Sequence, residues 1–170
     1  MNKKINKTKR HKTKHESFHE KLVAFGTNPA GARSKWSTWE EVIRETGATI
    51  WFMQETKCPT KQFKMENFVV YERVRERKNG GDVAIAAVKD LNPVLVSEST
   101  QKVEAITIEI HPKKFTIVCT SAYRPQNNDN KENKSKFWEY LDCVAETARN
   151  VGKGFLLQGD LNARLGPSII

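Results

Sequence analysis

Four stretches far apart in the chain end in side chains that could act together on a phosphate. Asp160 and Asn162 close the run Gly154-Phe155-Leu156-Leu157-Gln158-Gly159, whose apolar core has the length of a buried strand. Side chains alternate along an extended chain, so these two are expected on one side, a carboxylate beside an amide that donates and accepts. Such a pair can hold a water and a phosphate oxygen; the competing reading is a plain turn, since Gly, Asp and Asn are common turn residues. Tyr123 and Arg124 follow a second run, Phe115 to Ala122. A phenol and a guanidinium suit phosphate, although a half-buried tyrosine beside a turn is as common. Asn28 follows Lys21 to Thr27, and Glu55 and Lys57 follow Ala48 to Met53. For Glu55 and Lys57 the plainer alternative is a solvent-facing loop, where charged residues are the default.

The elements that must position these groups read as an α/β chain. Lys21 to Thr27 is predicted as a strand that Pro29 and Gly31 end. Ser34 to Thr46 reads as a helix, with Ser37 and Glu40 at capping-box spacing, an apolar stripe of Trp36, Trp39, Val42 and Ile43, and Gly47 as its stop. With Ala48 to Met53 this makes β-α-β, hence two parallel neighbours. In open α/β sheets the ligand crevice lies beyond the carboxyl ends of the strands, which brings Asn28 and Glu55 together. Phe68 to Tyr71, Val83 to Val88, the region of Leu95, Glu104 to Ile110 and Phe115 to Ala122 read as an antiparallel meander, with His111-Pro112-Lys113-Lys114 as a hairpin turn. Apolar and polar residues alternate from Glu104 to Ile110, which predicts one buried face and one wet one. A helix is expected over Ser135 to Asn150, stopped by Gly152.

Composition narrows the classes. The 170 residues fit one domain with a real core. No apolar run approaches the ~20 residues of a membrane span and no signal peptide opens the chain, so an intracellular protein without membrane contact is expected. Cys58, Cys119 and Cys143 are too far apart for a zinc site and too few for a disulfide framework. The net charge is +9, but seven of the 29 Lys and Arg lie in Met1 to His15, which holds no acid, leaving 22 against 20 acids. Residues 1–19 are therefore expected as a disordered basic tail, a solvated extension, a nuclear-import signal or a phosphate-binding arm for DNA or RNA, ahead of a domain over 20–170, in a nuclear or cytoplasmic protein. His11, His15 and His19 lack other ligands and are not read as a metal site.

Taken in order, Asn28-Pro29-Ala30-Gly31, Gln54-Glu55-Thr56-Lys57, Ala122-Tyr123-Arg124-Pro125 and Gly159-Asp160-Leu161-Asn162-Ala163 form a specific set. The chain resembles the endonuclease/exonuclease/phosphatase superfamily over about Lys21 to Gly166, and within it the apurinic-like endonuclease domain of non-LTR retrotransposons. The resemblance implies a two-sheet α/β sandwich, incomplete at its C-terminus, that hydrolyses DNA phosphodiesters. It implies Glu55 as ligand of Mg2+, or of Mn2+ in its place, with Asn28 steadying the site. Asp160 would orient and deprotonate the water, Asn162 and Tyr123 would bond the scissile phosphate, and Lys57 and Arg124 would contact phosphate. A further Asp and an Asp-His ending found in the family have no counterpart before Ile170. Members of a catalytic set act as a unit, so weak or no activity is expected of this chain alone. A phosphatase or phosphodiesterase on the same scaffold and a non-catalytic nucleic-acid-binding remnant are the alternatives.

The resemblance also implies that about half of the second sheet is missing, with Gly154 to Gly159 as its first strand. One edge of that strand, and most of the inner face of the first sheet, would then be uncovered, and poor solubility or self-association would follow.

Overall fold

The computed structural model describes residues 22–29, 31, 36–57, 65–74, 82–98, 103–124 and 131–162. The basic tail with its three histidines, Cys58 and the loop 126–130 lie outside the described residues. Eight strands and two α-helices follow in the order β1 (Ala24–Thr27), α1 (Trp36–Thr46), β2 (Ile50–Gln54), β3 (Phe68–Arg73), β4 (Val83–Val88), β5 (Val94–Glu98), β6 (Glu104–Ile110), β7 (Ile117–Tyr123), α2 (Lys131–Asn150) and β8 (Gly154–Asp160). Gly47 and Gly152, the expected helix stops, both adopt positive φ. Ser37 is the second residue of α1 rather than its cap, and Glu40 Oε1 instead accepts the Trp36 indole N–H at 2.8 Å.

Two four-stranded sheets form, β1-β2-β4-β3 and β5-β6-β7-β8. The expected single meander is thus divided. β3 and β4 join the first sheet, where β4 lies between β2 and β3, and β5 to β7 belong to the second. A short 3-10 turn over Lys89–Leu91, closed by Asn92 in the left-handed region, carries the chain from one sheet to the other. The expectation that the first sheet lacks most of its partner is overturned by the same fact. Strand periodicity says that a segment is extended, and is silent on which sheet takes it. The expected crossover unit is present, with β1 and β2 as parallel neighbours around α1, and the structure adds a second, with β7 and β8 parallel around α2.

Alternation along the strands builds a four-layer stack. In β2, Ile50 and Phe52 enter the core between the sheets with Ile85, Ile106, Ile108 and Cys119. Trp51 and Met53, on the other face, pack with Ile43 of α1, where Trp36 stacks on Trp51 at 5.3 Å between ring centroids. Each fully buried side chain of this size contributes roughly 1.5–3 kcal/mol. On the far side, α2 lays Phe137 and Leu141 on Ala105 and Ala122. That helix overturns the expected wet face of β6. Thr107 is fully buried, its hydroxyl 2.9 Å from the Thr120 hydroxyl and 3.0 Å from the Tyr140 hydroxyl. A polar residue is tolerated there because its hydroxyl is paired.

Candidate active site

The same alternation decides what lies at the carboxyl ends of the strands. Gln54 shares a face with Ile50 and Phe52, Ser121 and Tyr123 share one with Cys119, and Gln158 and Asp160 share one with Leu156; all three faces point into the space between the sheets. The apolar core therefore ends in a polar layer, and the candidate site opens above it.

Asn28, Glu55, Tyr123 and Asp160 meet there. Asn28 Nδ2 donates to Asp160 Oδ2 at 3.2 Å and also bonds the Glu55 carboxylate. The Tyr123 hydroxyl donates to Glu55, and Lys57 Nζ lies 3.3 Å from Glu55 Oε2. One amide thus links two carboxylates from different sheets, and a phenol and an ammonium complete the shell of one of them. Burial pushes the Glu55 carboxyl up, but the bonds from Tyr123, Lys57 and Asn28 and the Lys57 charge outweigh it, so the net shift is downward and the group is ionised at neutral pH. Burial raises the Tyr123 phenol first, and the bond to Glu55 and the charges of Glu55, Glu104 and Asp160 raise it further. It remains a neutral donor.

The backbone is bent to this arrangement. Glu55 and Lys57 have φ of 52° and 50°, in the left-handed region that non-glycine residues seldom occupy. The Glu55 carbonyl is caught by the Gly31 N–H at 3.0 Å, which ties the loop after β1 to the loop after β2. Asn162 departs from the expected alternation. The strand ends at Asp160, and Asn162, with φ of 44°, turns its Nδ2 to the Arg124 carbonyl at 2.6 Å while its backbone N–H reaches Asp160 Oδ1 at 3.3 Å. Arg124 in turn donates its backbone N–H to the Asp160 carbonyl at 2.9 Å. Asn162 and Arg124 therefore brace the strand end that carries Asp160.

Four further residues belong to this region without having been singled out. Gln54 Nε2 donates to Ser121 Oγ at 2.9 Å and to Gln158 Oε1 at 3.0 Å, directly beneath the site. Their position in each apolar run, on the core-facing parity, is the signal that marks them. Glu104 is buried beside Tyr123 as its register partner on β6. It reads in sequence as the first polar residue of a half-wet strand, so no pattern distinguishes it.

Glu55, Asp160 and Asn28 bring oxygen-bearing side chains to one place, a set that suits a hard cation keeping several of its waters. No group of three or more His, Cys, Asp and Glu is gathered among the described residues, so a cation here would rest on very few protein ligands.

No family model matches the sequence, and no curated protein does. Solved structures do. The catalytic domain of Xenopus laevis APE2 is similar at a TM-score of 0.63 and 19% identity, over 86% of this chain and 59% of that one. The endonuclease domain of TRAS1, a telomere-specific non-LTR retrotransposon, is similar at 0.56 and 19% identity, over 85% and 61%. A mannosyl-6-phosphatase of Bacteroides thetaiotaomicron is similar at 0.59 and 13% identity, over 85% and 66%. The chain spans about three-fifths of the length of the first two. No helix among the described residues is long and apolar enough to cross a membrane. An endonuclease domain and a sugar phosphatase share one scaffold, and this chain, with its two facing sheets and outer helices, has the endonuclease/exonuclease/phosphatase fold.

Proposed function

We propose that the chain is the catalytic portion of a metal-dependent DNA endonuclease that hydrolyses a phosphodiester bond. The observation that carries this reading is the bridge made by Asn28 between Asp160 and Glu55, with the Tyr123 hydroxyl on Glu55. It separates two jobs. Glu55, ionised and reached by three donors, is the group that holds Mg2+ or Mn2+, with Asn28 beside it. When bound there, such an ion supplies a Lewis acid that polarises the phosphoryl oxygen and offsets charge developing on it.

Asp160 orients the attacking water and takes its proton, with the Asn28 amide holding the carboxylate in position. The Tyr123 phenol stays protonated and, when substrate binds, turns its one hydrogen from Glu55 to a non-bridging phosphate oxygen; the Asn162 amide, with one hydrogen on the Arg124 carbonyl, gives its second to the phosphate, and neutral donors of this kind follow charge as it builds. Lys57 and Arg124 contribute positive charge toward the phosphate backbone. DNA is the substrate in this reading, and the basic tail adds a sequence-independent grip that extends to RNA. Nicking by these 170 residues alone is expected to be weak or nil, because the family's further Asp and Asp-His ending have no counterpart in them.

The test takes the chain both as it stands and extended by a C-terminal segment carrying Asp and His. Magnesium-dependent nicking of supercoiled plasmid is expected from the extended protein, with Asp160→Ala lowering the rate by several orders of magnitude and leaving the fold intact. Hydrolysis of sugar phosphates with no nicking would favour a phosphatase on the same scaffold. DNA binding by an extended protein without any hydrolysis would favour a non-catalytic remnant.

A further inference from the structure

Beneath the candidate site each of the four strands that supply it contributes one residue to a second layer. Gly26 precedes Asn28 by two residues, Gln54 precedes Glu55 by one, Ser121 precedes Tyr123 by two and Gln158 precedes Asp160 by two. The polar members of this layer are joined. Both hydrogens of the Gln54 amide are used, one on Ser121 Oγ at 2.9 Å and one on Gln158 Oε1 at 3.0 Å. Ser121 Oγ then donates across the sheets to the Met53 carbonyl at 3.2 Å. Gln54 is 2% exposed and Ser121 fully buried, so the bond between them is shielded from water, while Gln158 is half-buried and Gly26 lies exposed on β1.

Gly26 fits the layer by what it lacks. A Cβ at that position would stand 2.2 Å from Gln158 Cδ and Nε2, so the Gln158 amide occupies the volume a side chain on β1 would need. The chain gives up a side chain on one strand to admit the head group of another.

We propose that Gln54, Ser121, Gln158 and Gly26 form a clamp that fixes the two sheets relative to each other at their carboxyl ends and so sets the spacing of Asn28, Glu55, Tyr123 and Asp160. These are positioning residues, and the proposal rests on the reading that those four side chains are the working site. The physical need is specific. Asn28 and Asp160 come from different sheets, as do Glu55 and Tyr123, so no backbone ladder sets either distance. Apolar packing between the sheets is nondirectional and tolerates sliding; an amide with each hydrogen on its own acceptor does not. Groups that orient metal-binding and catalytic side chains in this way alter affinity without touching the ligand.

The experiment uses the whole chain and three readouts: side-chain amide NMR signals of Asn28 and Asn162, affinity for Mn2+ alone by electron paramagnetic resonance, and thermal unfolding. Gln158→Leu removes the acceptor, and Gly26→Ala evicts the amide without otherwise changing it. Each is expected to shift the Asn28 signal and weaken Mn2+ about tenfold, within the range seen for groups that orient metal ligands. Gln158→Glu retains an acceptor and is expected to keep both signals and Mn2+ affinity near the parent. Phe137→Leu, in the packing of α2, lowers the unfolding temperature and leaves the amide signals and Mn2+ affinity in place. Should Gln158→Leu fail to fold, Ser121→Ala deletes a single hydroxyl and gives the same test. Unchanged Asn28 signals and affinity in the folded Gln158→Leu, Gly26→Ala or Ser121→Ala proteins would overturn the clamp. Equal Mn2+ uptake by the parent and Glu55→Gln would instead overturn the metal reading, and the amide signals would still decide the clamp.

Discussion

The two crossover units, β1-α1-β2 and β7-α2-β8, place their chemistry in opposite order. In the first, the edge strand comes first and delivers Asn28, while the interior strand β2 delivers Glu55. In the second, the interior strand β7 comes first and delivers Tyr123, while β8, paired only with β7 among the described residues, delivers Asp160. The contacts follow position in the sheet and not order in the chain. Interior meets interior in the bond between Tyr123 and Glu55, and edge meets edge in the bond from Asn28 to Asp160.

In the proposed mechanism that difference gives the two carboxylates different mechanical support, suited to different tasks. Glu55 stands at the end of a strand whose five residues are all buried, fit for an anchor. Asp160 stands at the end of a strand whose residues are mostly half-buried, where small adjustments are cheaper. A ligand for a cation gains from rigidity, whereas a proton acceptor must follow a moving water.

The comparison is broken most strongly in the cores that support each strand. Phe52→Ala, under the interior strand, is expected to cost about 3–5 kcal/mol, while Leu156→Ala, under the half-buried edge strand, costs about 1–2 kcal/mol. Urea unfolding of the two variants measures the gap, and equal costs would mean that β8 is as deeply supported as β2.

The next effect lies between the strands of the second unit. A Cβ on Gly159 would meet the Ala122 carbonyl oxygen at 2.1 Å, a backbone atom that cannot rotate away as the Gln158 head group can. Gly159→Ala is therefore expected to cost about 1–3 kcal/mol by forcing β8 from β7, more than Gly26→Ala costs in thermal unfolding. A smaller cost for Gly159→Ala would show that the edge strand yields freely.

The smallest effect concerns acid. The Glu55 carboxyl is held below its ordinary value of 4.5, so the stability it contributes is complete above that value and is lost as pH falls through the lower folded value. The group is partly exposed to solvent and to screening, so the loss is expected to stay under about 1 kcal/mol. Denaturant midpoints from pH 7 to pH 3 should fall less steeply for Glu55→Gln than for the parent. Identical slopes would place the acid sensitivity in other carboxylates.

Much of this was legible beforehand. The strand and helix segments come through with their ends moved by a few residues: β1 is shorter, α2 begins at Lys131 instead of Ser135, and β7 at Ile117, leaving Phe115 outside it and exposed. Asn28, Glu55, Lys57, Tyr123 and Asp160 each stand at the end of an apolar run; the strand-end rule brings only Asn28 and Glu55 together, and their meeting with Tyr123 and Asp160 is what the family resemblance implies. Gln54, Ser121 and Gln158 are not foreseen as neighbours: each stands on the apolar parity of its run, which puts it on the covered face, but nothing local says that three such residues from three strands will meet.

What the sequence by itself determined is local: which segments extend, where Pro and Gly stop them, and which parity of each strand is apolar, since these follow from sterics and side-chain alternation within a few residues. Only the tertiary structure decided the rest. It divided the strands between two sheets, covered Thr107 with Tyr140, turned Asn162 away from the alternation, and brought Gln54 against Ser121 and Gln158. Those outcomes depend on contacts between residues as far as 104 positions apart, and a hydrogen bond of that separation leaves no period in the chain.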